Sequence, residues 1–257
     1  MAPSTLAVVL LATILFGTWA VPAHALIVNG GFELGFSGWT RVDQVGSEGT
    51  FHLQAGTVSP VTLSPVPPPP EGATAAMTDA EGPGSHVLYQ DFIVPALVGP
   101  TTLSFQLFVQ NTAPDFFVAD HLDFATPDLN QQARVDILLA SADPFSVSAS
   151  DVLLTVFQTD PGDPPVSGYT EYSVDVTALL NAHASTTLRL RFAEVDNVNI
   201  FQFGVDDVRL GAPPAQAVPE PATHLLALAA LLGIAWRRRA SSPASPSPSA
   251  FAAGTSS

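Results

Sequence analysis

Residues 101–110 read Thr-Thr-Leu-Ser-Phe-Gln-Leu-Phe-Val-Gln, and their period of two decides the fold class. Leu103, Phe105, Leu107 and Val109 alternate with Thr102, Ser104 and Gln106, which gives an extended segment one apolar and one polar face. Phe108 is the single apolar exception on the polar side. The pattern returns in Arg134–Ala140 through Val135, Ile137 and Leu139, and in Glu171–Val176 through Tyr172, Val174 and Val176. Leu188–Phe192 repeats it through Leu188, Leu190 and Phe192, with Arg189 and Arg191 on the outward side. Phe201–Leu210 closes the series, and Val87–Val94 and Asp151–Gln158 read as further, less regular strands. Helical patterning is confined to one turn at Thr177–Ala182, where Thr177 is placed to cap the N-terminus. Short strands without long helices between them predict an all-β fold, a jelly-roll-like antiparallel β-sandwich, rather than a parallel βαβ sheet.

Outward from these strands the chain changes character. Ser59–Gly72 carries Pro60, Pro65 and Pro67–Pro70, lacks the N–H groups a ladder needs, and reads as an extended surface loop. A linker between two domains is the competing reading; the stretch before it is too short to build a core, so residues 26–216 form one domain. At the start, the apolar run Leu6–Phe16 precedes the small-x-small site Ala23-His24-Ala25. Residues 1–25 therefore read as a signal peptide cleaved after Ala25. At the other end, Val218-Pro219-Glu220-Pro221 precedes the uncharged Ala222–Trp236 and then Arg237, Arg238 and Arg239. At ~1.5 Å per residue this apolar stretch reaches only about 22 Å against a hydrocarbon core of ~30 Å, so length alone fits a buried helix or a thin span. The arginine flank selects a short C-terminal transmembrane helix with the preceding domain outside. Residues 240–257, rich in Ser, Pro and Ala, have the composition of a disordered tail.

Charge and missing residues exclude several classes. The chain has eight basic and 23 acidic residues, a net charge of −15, and no cysteine. All eight basic residues are arginine, and only Arg41, Arg134, Arg189, Arg191 and Arg209 precede the tail, against every acid except Glu220. Such a surface repels phosphate backbones and argues against nucleic-acid partners. Without cysteine there are no disulfides and no thiolate metal sites. Gly35-Phe36-Ser37-Gly38 has the wrong spacing for a nucleophile elbow, no H-E-x-x-H pair occurs, and a chain without lysine has no phosphate-binding Gly-Lys loop. The densest polar group is Asp120-His121-x-Asp123, near Asp115 and Asp128, which reads as a solvated acidic loop or a metal site. Nothing singles out a catalytic pair, and the expectation is that the protein is not an enzyme. Trp39, Phe36, Tyr89, Phe116, Phe117 and Tyr169 include rings able to stack on sugars if exposed, with Phe116-Phe117 foremost.

The tail, with Pro219-Glu220-Pro221, the apolar Leu225–Ala235 and Arg237-Arg238-Arg239, resembles the PEP-CTERM sorting signal, also catalogued as a C-terminal domain of ice-binding proteins. The resemblance implies that Pro219, Glu220 and Pro221 are recognised by an exosortase, a processing enzyme of the inner membrane, after transient anchoring there. Family members usually end soon after the basic cluster, whereas Ala240–Ser257 continue here. No Thr-x-Thr array of the kind that would face ice is present. More faintly, Asn29-Gly30-Gly31-Phe32-Glu33 with Trp39, and Gly204-Val205-Asp206-Asp207-Val208, resemble the first and last strands of carbohydrate-binding jelly rolls. That likeness implies a structural calcium ion held by Glu33 and one of Asp206 or Asp207; a turn at Gly30-Gly31 and strand-capping aspartates is the other reading. The leading expectation is an exported envelope or extracellular-matrix protein acting by non-covalent interaction. A calcium-stabilised polysaccharide-binding module stands second and a secreted hydrolase third.

Overall fold

The computed structural model describes residues 26–211 with the exception of 97. The signal-peptide residues Ala23 and Ala25, the sorting residues Pro219, Glu220 and Pro221, the flank Arg237–Arg239, the transmembrane helix and the 240–257 tail lie outside the described residues. The chain divides between Pro213 and Pro214, and the first unit holds the fold.

Among the described residues ten strands and one short helix follow in order: β1 Thr40–Asp43, β2 Thr50–Ala55, β3 Thr74–Asp79, β4 Gly84–Ile93, β5 Thr102–Asn111, β6 Gln131–Leu139, β7 Val152–Gln158, β8 Thr170–Asp175, α1 Thr177–Ala182, β9 Thr187–Asp196 and β10 Phe201–Gly211. One sheet runs β1-β4-β9-β6-β7 and the other β2-β3-β10-β5-β8. Every paired strand is antiparallel, so the fold is the expected all-β two-sheet sandwich. Among the described residues no helix is long and apolar enough to cross a membrane.

The alternation seen in the sequence sets which side chains meet between the sheets. Leu103, Phe105 and Leu107 of β5, with Phe201, Phe203 and Val205 of β10, face Val135 and Ile137 of β6 and Leu188, Leu190 and Phe192 of β9. Phe105 meets Phe192 edge-on, ring centroids 5.5 Å apart at 88°, which ties the two sheets at their centre. Phe108 breaks the alternation because the outer face of its sheet is covered too. The proline segment folds over that face, and Val66, Met77, Phe108 and Tyr169 form a second, smaller core beneath it. Gln54 Nε2 donates to Pro67 O at 2.8 Å, and Asp79 Oδ2 accepts from the amides of Val61 and Thr62 at 2.7 and 2.9 Å. Fully burying one such ring is worth ~1.5–3 kcal/mol.

The opposite outer face is covered as well. Arg189 and Arg191 lie on the outward side of β9 as the alternation requires, yet both are buried because residues 140–147 fold over them. Arg134 grips Asp136 with two bonds of 2.8 Å, and Arg191 Nη2 donates to the same carboxylate at 2.5 Å. Arg191 also donates to the carbonyls of Pro144 and Ser146, at 2.7 and 2.6 Å. Burial by itself raises the Asp136 carboxyl, but the bonds and charges of Arg134 and Arg191 outweigh it and hold the group below its usual 3.8.

Two expectations are corrected. The N-cap of α1 is Val176, not Thr177; the Thr177 hydroxyl instead accepts from the Thr101 amide at 2.8 Å, and the Thr177 amide donates to Asp175 Oδ1. Asn29–Glu33 forms turns rather than a first strand, held beside the last one by Leu26 N to Leu210 O and Val208 N to Gly30 O.

Replacing Asp136 with Ala leaves two buried guanidiniums without their counter-charge and should cost ~3–5 kcal/mol in urea unfolding. The carboxyl titrates lower in the folded than in the unfolded chain. Its contribution is therefore complete above the unfolded value and fades as pH falls below 3.8 toward the lower native value. Asp136→Asn should flatten that acid limb, and an unchanged limb would show that other carboxylates govern it.

Candidate functional site

Strand β9 carries the most unusual residues of the fold. Its inward face reads Leu188, Leu190, Phe192, Glu194, Asp196, so the alternation that fills the core ends by sending two carboxylates between the sheets. The β4–β9 register pairs Glu194 with His86 and Asp196 with Gly84, so four adjacent inward positions carry a carboxylate, an imidazole, a second carboxylate and no side chain. His86, Glu194 and Asp196 are 2%, 1% and 5% exposed. One ligand atom from each lies within 4.8 Å of the others. A Cβ on Gly84 would stand 2.3 Å from His86 Nε2, so the missing side chain is what leaves room for the imidazole.

Each member is oriented by a neighbour. His86 Nδ1 is 2.8 Å from Asp43 Oδ1 on β1. The Gly84 amide donates to Asp196 Oδ1 at 2.8 Å. Glu194 Oε1 is buried and accepts no hydrogen bond. Burial drives the Glu194 carboxyl well above the usual carboxylate range, and nearby Asp196 adds to the rise while the Thr78 hydroxyl opposes it. Burial likewise lifts Asp196 to about 7, with the Gly84 amide and His86 pulling the other way. None of the ion pairs among the described residues includes Glu194 or Asp196. Asp196 also lines an open pocket of about 180 Å³ walled by Glu81, Gly82, Pro83 and Asn197–Ile200. The group can bind a cation or hold protons.

The residues singled out in the sequence lie elsewhere. Glu33 and Asp206 are both anchored on residues 71–74: Glu33 Oε1 accepts from the amides of Ala73 and Thr74 at 2.8 Å, and Asp206 Oδ2 from the amide of Glu71 at 2.9 Å. Those amides hold the Glu33 carboxyl below its usual range. Burial raises Asp206 to about 7 and Asp207 to about 6. Asp207, at φ +52° in the bulge of β10, lies 2.6 Å from Arg209 Nη2. Glu33, Asp206 and Asp207 do not form a set with mutual ligand distances within 4.8 Å. Gly30 and Gly31 do form the turn, and a Cβ on Gly30 would come within 1.9 Å of Val208 O.

In the acidic loop, His121 Nδ1 accepts from the Asp123 amide at 3.2 Å, and Asp123 accepts from Gln44 and from the Ala125 amide. The two amide bonds fold the loop on itself, and Gln44 ties it to the segment after β1. Phe116 is buried against Phe201, and Phe117 makes a backbone bridge to Gln131. Trp39 packs between Phe32 and Phe192 and donates from Nε1 to Asn29 O at 3.0 Å. The Tyr89 ring is covered by the Arg189 guanidinium, 3.9 Å from its centroid. Tyr169 is half-buried against Phe108, ring centroids 5.7 Å apart, with its hydroxyl donating to Gln54 Oε1 at 2.7 Å.

Residues 217–239 match the model of the PEP-CTERM protein-sorting motif. The tail is a sorting signal. It makes the chain an exported protein, transiently anchored in the membrane and sorted by an exosortase. No curated protein matches the chain. Among solved structures, the carbohydrate-binding module TmCBM61, solved with beta-1,4-galactotriose, is 11% identical with a TM-score of 0.43, covering 74% of this chain and 99% of its own. The K3 cleaved adhesin domain of Lys-gingipain from Porphyromonas gingivalis is 15% identical with a TM-score of 0.44, covering 74% and 99%. A Stig cyclase from Fischerella sp. TAU is 17% identical with a TM-score of 0.42, covering 76% and 100%. Likenesses this distant carry no function to this chain.

Gly30→Ala should lower stability by ~1–3 kcal/mol in urea unfolding, because its Cβ collides with the backbone of β10 rather than with a movable side chain. Wild-type stability in that variant would show that the turn yields freely.

Proposed function

We propose that the sandwich is the working part of an envelope or extracellular-matrix protein that acts by non-covalent contact after sorting, and that it is not an enzyme. The sorting motif at residues 217–239 carries this reading, since it commits the chain to export; Pro219, Glu220 and Pro221 are in this reading what the exosortase recognises. The surface agrees with it. The large hydrophobic side chains exposed among the described residues are aliphatic, namely Val28, Leu34, Val45, Leu53, Val58, Val61, Leu63, Ile93, Leu129 and Val166. Sugar recognition by stacking needs an exposed ring, whereas Trp39 and Phe116 are buried, Tyr89 is covered by Arg189, and Phe117 and Tyr169 are half-buried. Of the carboxylates with raised proton affinity, Glu194, Asp196 and Asp206 are buried and Asp207 is ion-paired with Arg209, which gives hydrolysis little to work with.

In a host that carries an exosortase, wild-type protein should lose the tail and leave the inner membrane, whereas Glu220→Ala should keep it and stay anchored. Intact mass and fractionation of the two forms make the comparison; identical masses and locations would remove the sorting role of Glu220. On a glycan array the processed domain should be silent, and robust binding would replace contact in general with sugar recognition in particular.

A further inference from the structure

We propose that His86, Glu194 and Asp196 form a binding site for one divalent transition-metal ion of the zinc type, inside one end of the sandwich. Three observations converge on it. The register of β4 against β9 places the three ligand atoms within 4.8 Å of one another, beside a position kept open by Gly84. Glu194 Oε1 is enclosed there without a hydrogen-bond donor, although an unpartnered buried carboxylate oxygen is strongly disfavoured. His86 has its Nδ1 on Asp43 Oδ1 at 2.8 Å, an arrangement that fixes the ring and leaves Nε2, beside Gly84, for an ion.

Charge and ligand type choose the ion. Two carboxylates and a neutral imidazole carry −2, and among the described residues no arginine pairs with either carboxylate. A divalent cation balances that charge. One nitrogen and two oxygens suit Zn²⁺ and its first-row neighbours, whereas Ca²⁺ takes ~6–8 oxygens and no imidazole. A tetrahedral ion with bonds of ~2.1 Å holds its ligand atoms about 3.4 Å apart, so side-chain rotations of about an ångström close the set. Solvent reaches Asp196 through the pocket walled by Glu81 and Asn197–Ile200, which gives the ion a way in and leaves a coordination position for water.

The test uses the purified full chain, stripped with EDTA and titrated with ZnCl₂ by calorimetry. One equivalent should bind and raise the melting temperature, and Co²⁺ in place of zinc should give the visible absorption of a low-symmetry N/O site. Glu194→Gln keeps the shape of the side chain but removes its charge, and should abolish both responses while the far-UV spectrum stays unchanged. Asp43→Asn, which alters only the partner of His86, should weaken zinc by ~10–100-fold. Glu33→Gln, at the other acidic junction, should bind as wild type. No uptake by the stripped wild type overturns the proposal, as does equal uptake by Glu194→Gln. A Glu194→Gln protein that melts higher than the zinc-saturated wild type also overturns it, because it identifies the cluster as a proton-sharing pair.

Discussion

The fold depends on the register of β9. This strand lies at the centre of its sheet and pairs with β4 and β6 along its length, so its phase is fixed from both sides. Leu188, Leu190 and Phe192 make that phase worthwhile, since Phe192 is the ring on which Phe105 and Trp39 both close. A slip of one residue would exchange this face for Arg189, Arg191 and Ala193 and would empty the core. The same constraint leaves Glu194 and Asp196 no choice of side. Their burial is a consequence of the alternation that builds the sandwich, and the loss of solvation there is carried by the packing further along the strand.

The outward face of β9 shows how the chain deals with charge when it has partners to spend. Asp136 stands between Arg134 and Arg191, and Arg191 uses its remaining donors on the carbonyls of Pro144 and Ser146. Asp91 takes Arg189 through two bonds of 2.7 and 3.0 Å, and Arg209 serves Glu71 and Asp207. Arg41 donates to Phe51 O and covers Phe36. Each of the five arginines of the domain is thus engaged outside the His86–Glu194–Asp196 group. The inward carboxylates are left to hydrogen bonds and to one imidazole because, among the described residues, no arginine is free to meet them.

Much of the fold was legible because half of each strand is solvated or loop-facing and half is core, which is what period-two reading detects. β5, β6, β8 and β9 satisfy that condition and were found within a few residues of their ends. β3, Thr-Ala-Ala-Met-Thr-Asp, fails it: small or apolar residues stand on both of its covered faces, whereas the equally buried β6 and β9 keep the alternation through Arg134, Asp136, Arg189 and Arg191. β1 and β2 were missed because they are short and carry Arg, His and Gln at positions a sequence reading assigns to solvent. The polar cluster was out of reach for a different reason. His86 and Glu194 are 108 positions apart, and only the β4–β9 register, which no local pattern specifies, makes them neighbours. A usable signal did exist in Leu-Arg-Leu-Arg-Phe-Ala-Glu-Val-Asp at 188–196: continuing its alternation past Phe192 puts both acids on the apolar face.

The absence of cysteine gives that cluster its structural meaning. A domain exported to the envelope commonly ties distant segments together with disulfides, and this one has none available. With an ion bound, His86 and Glu194 would be joined across 108 positions, with Asp43 of β1 linked through the imidazole and Thr78 of β3 lying against Glu194 from the other sheet. Binding energy of that kind is folding energy, because the unfolded chain offers no assembled site. Four strands from both sheets would then be tied at one end of the sandwich, where polar groups have displaced the apolar packing that holds the rest.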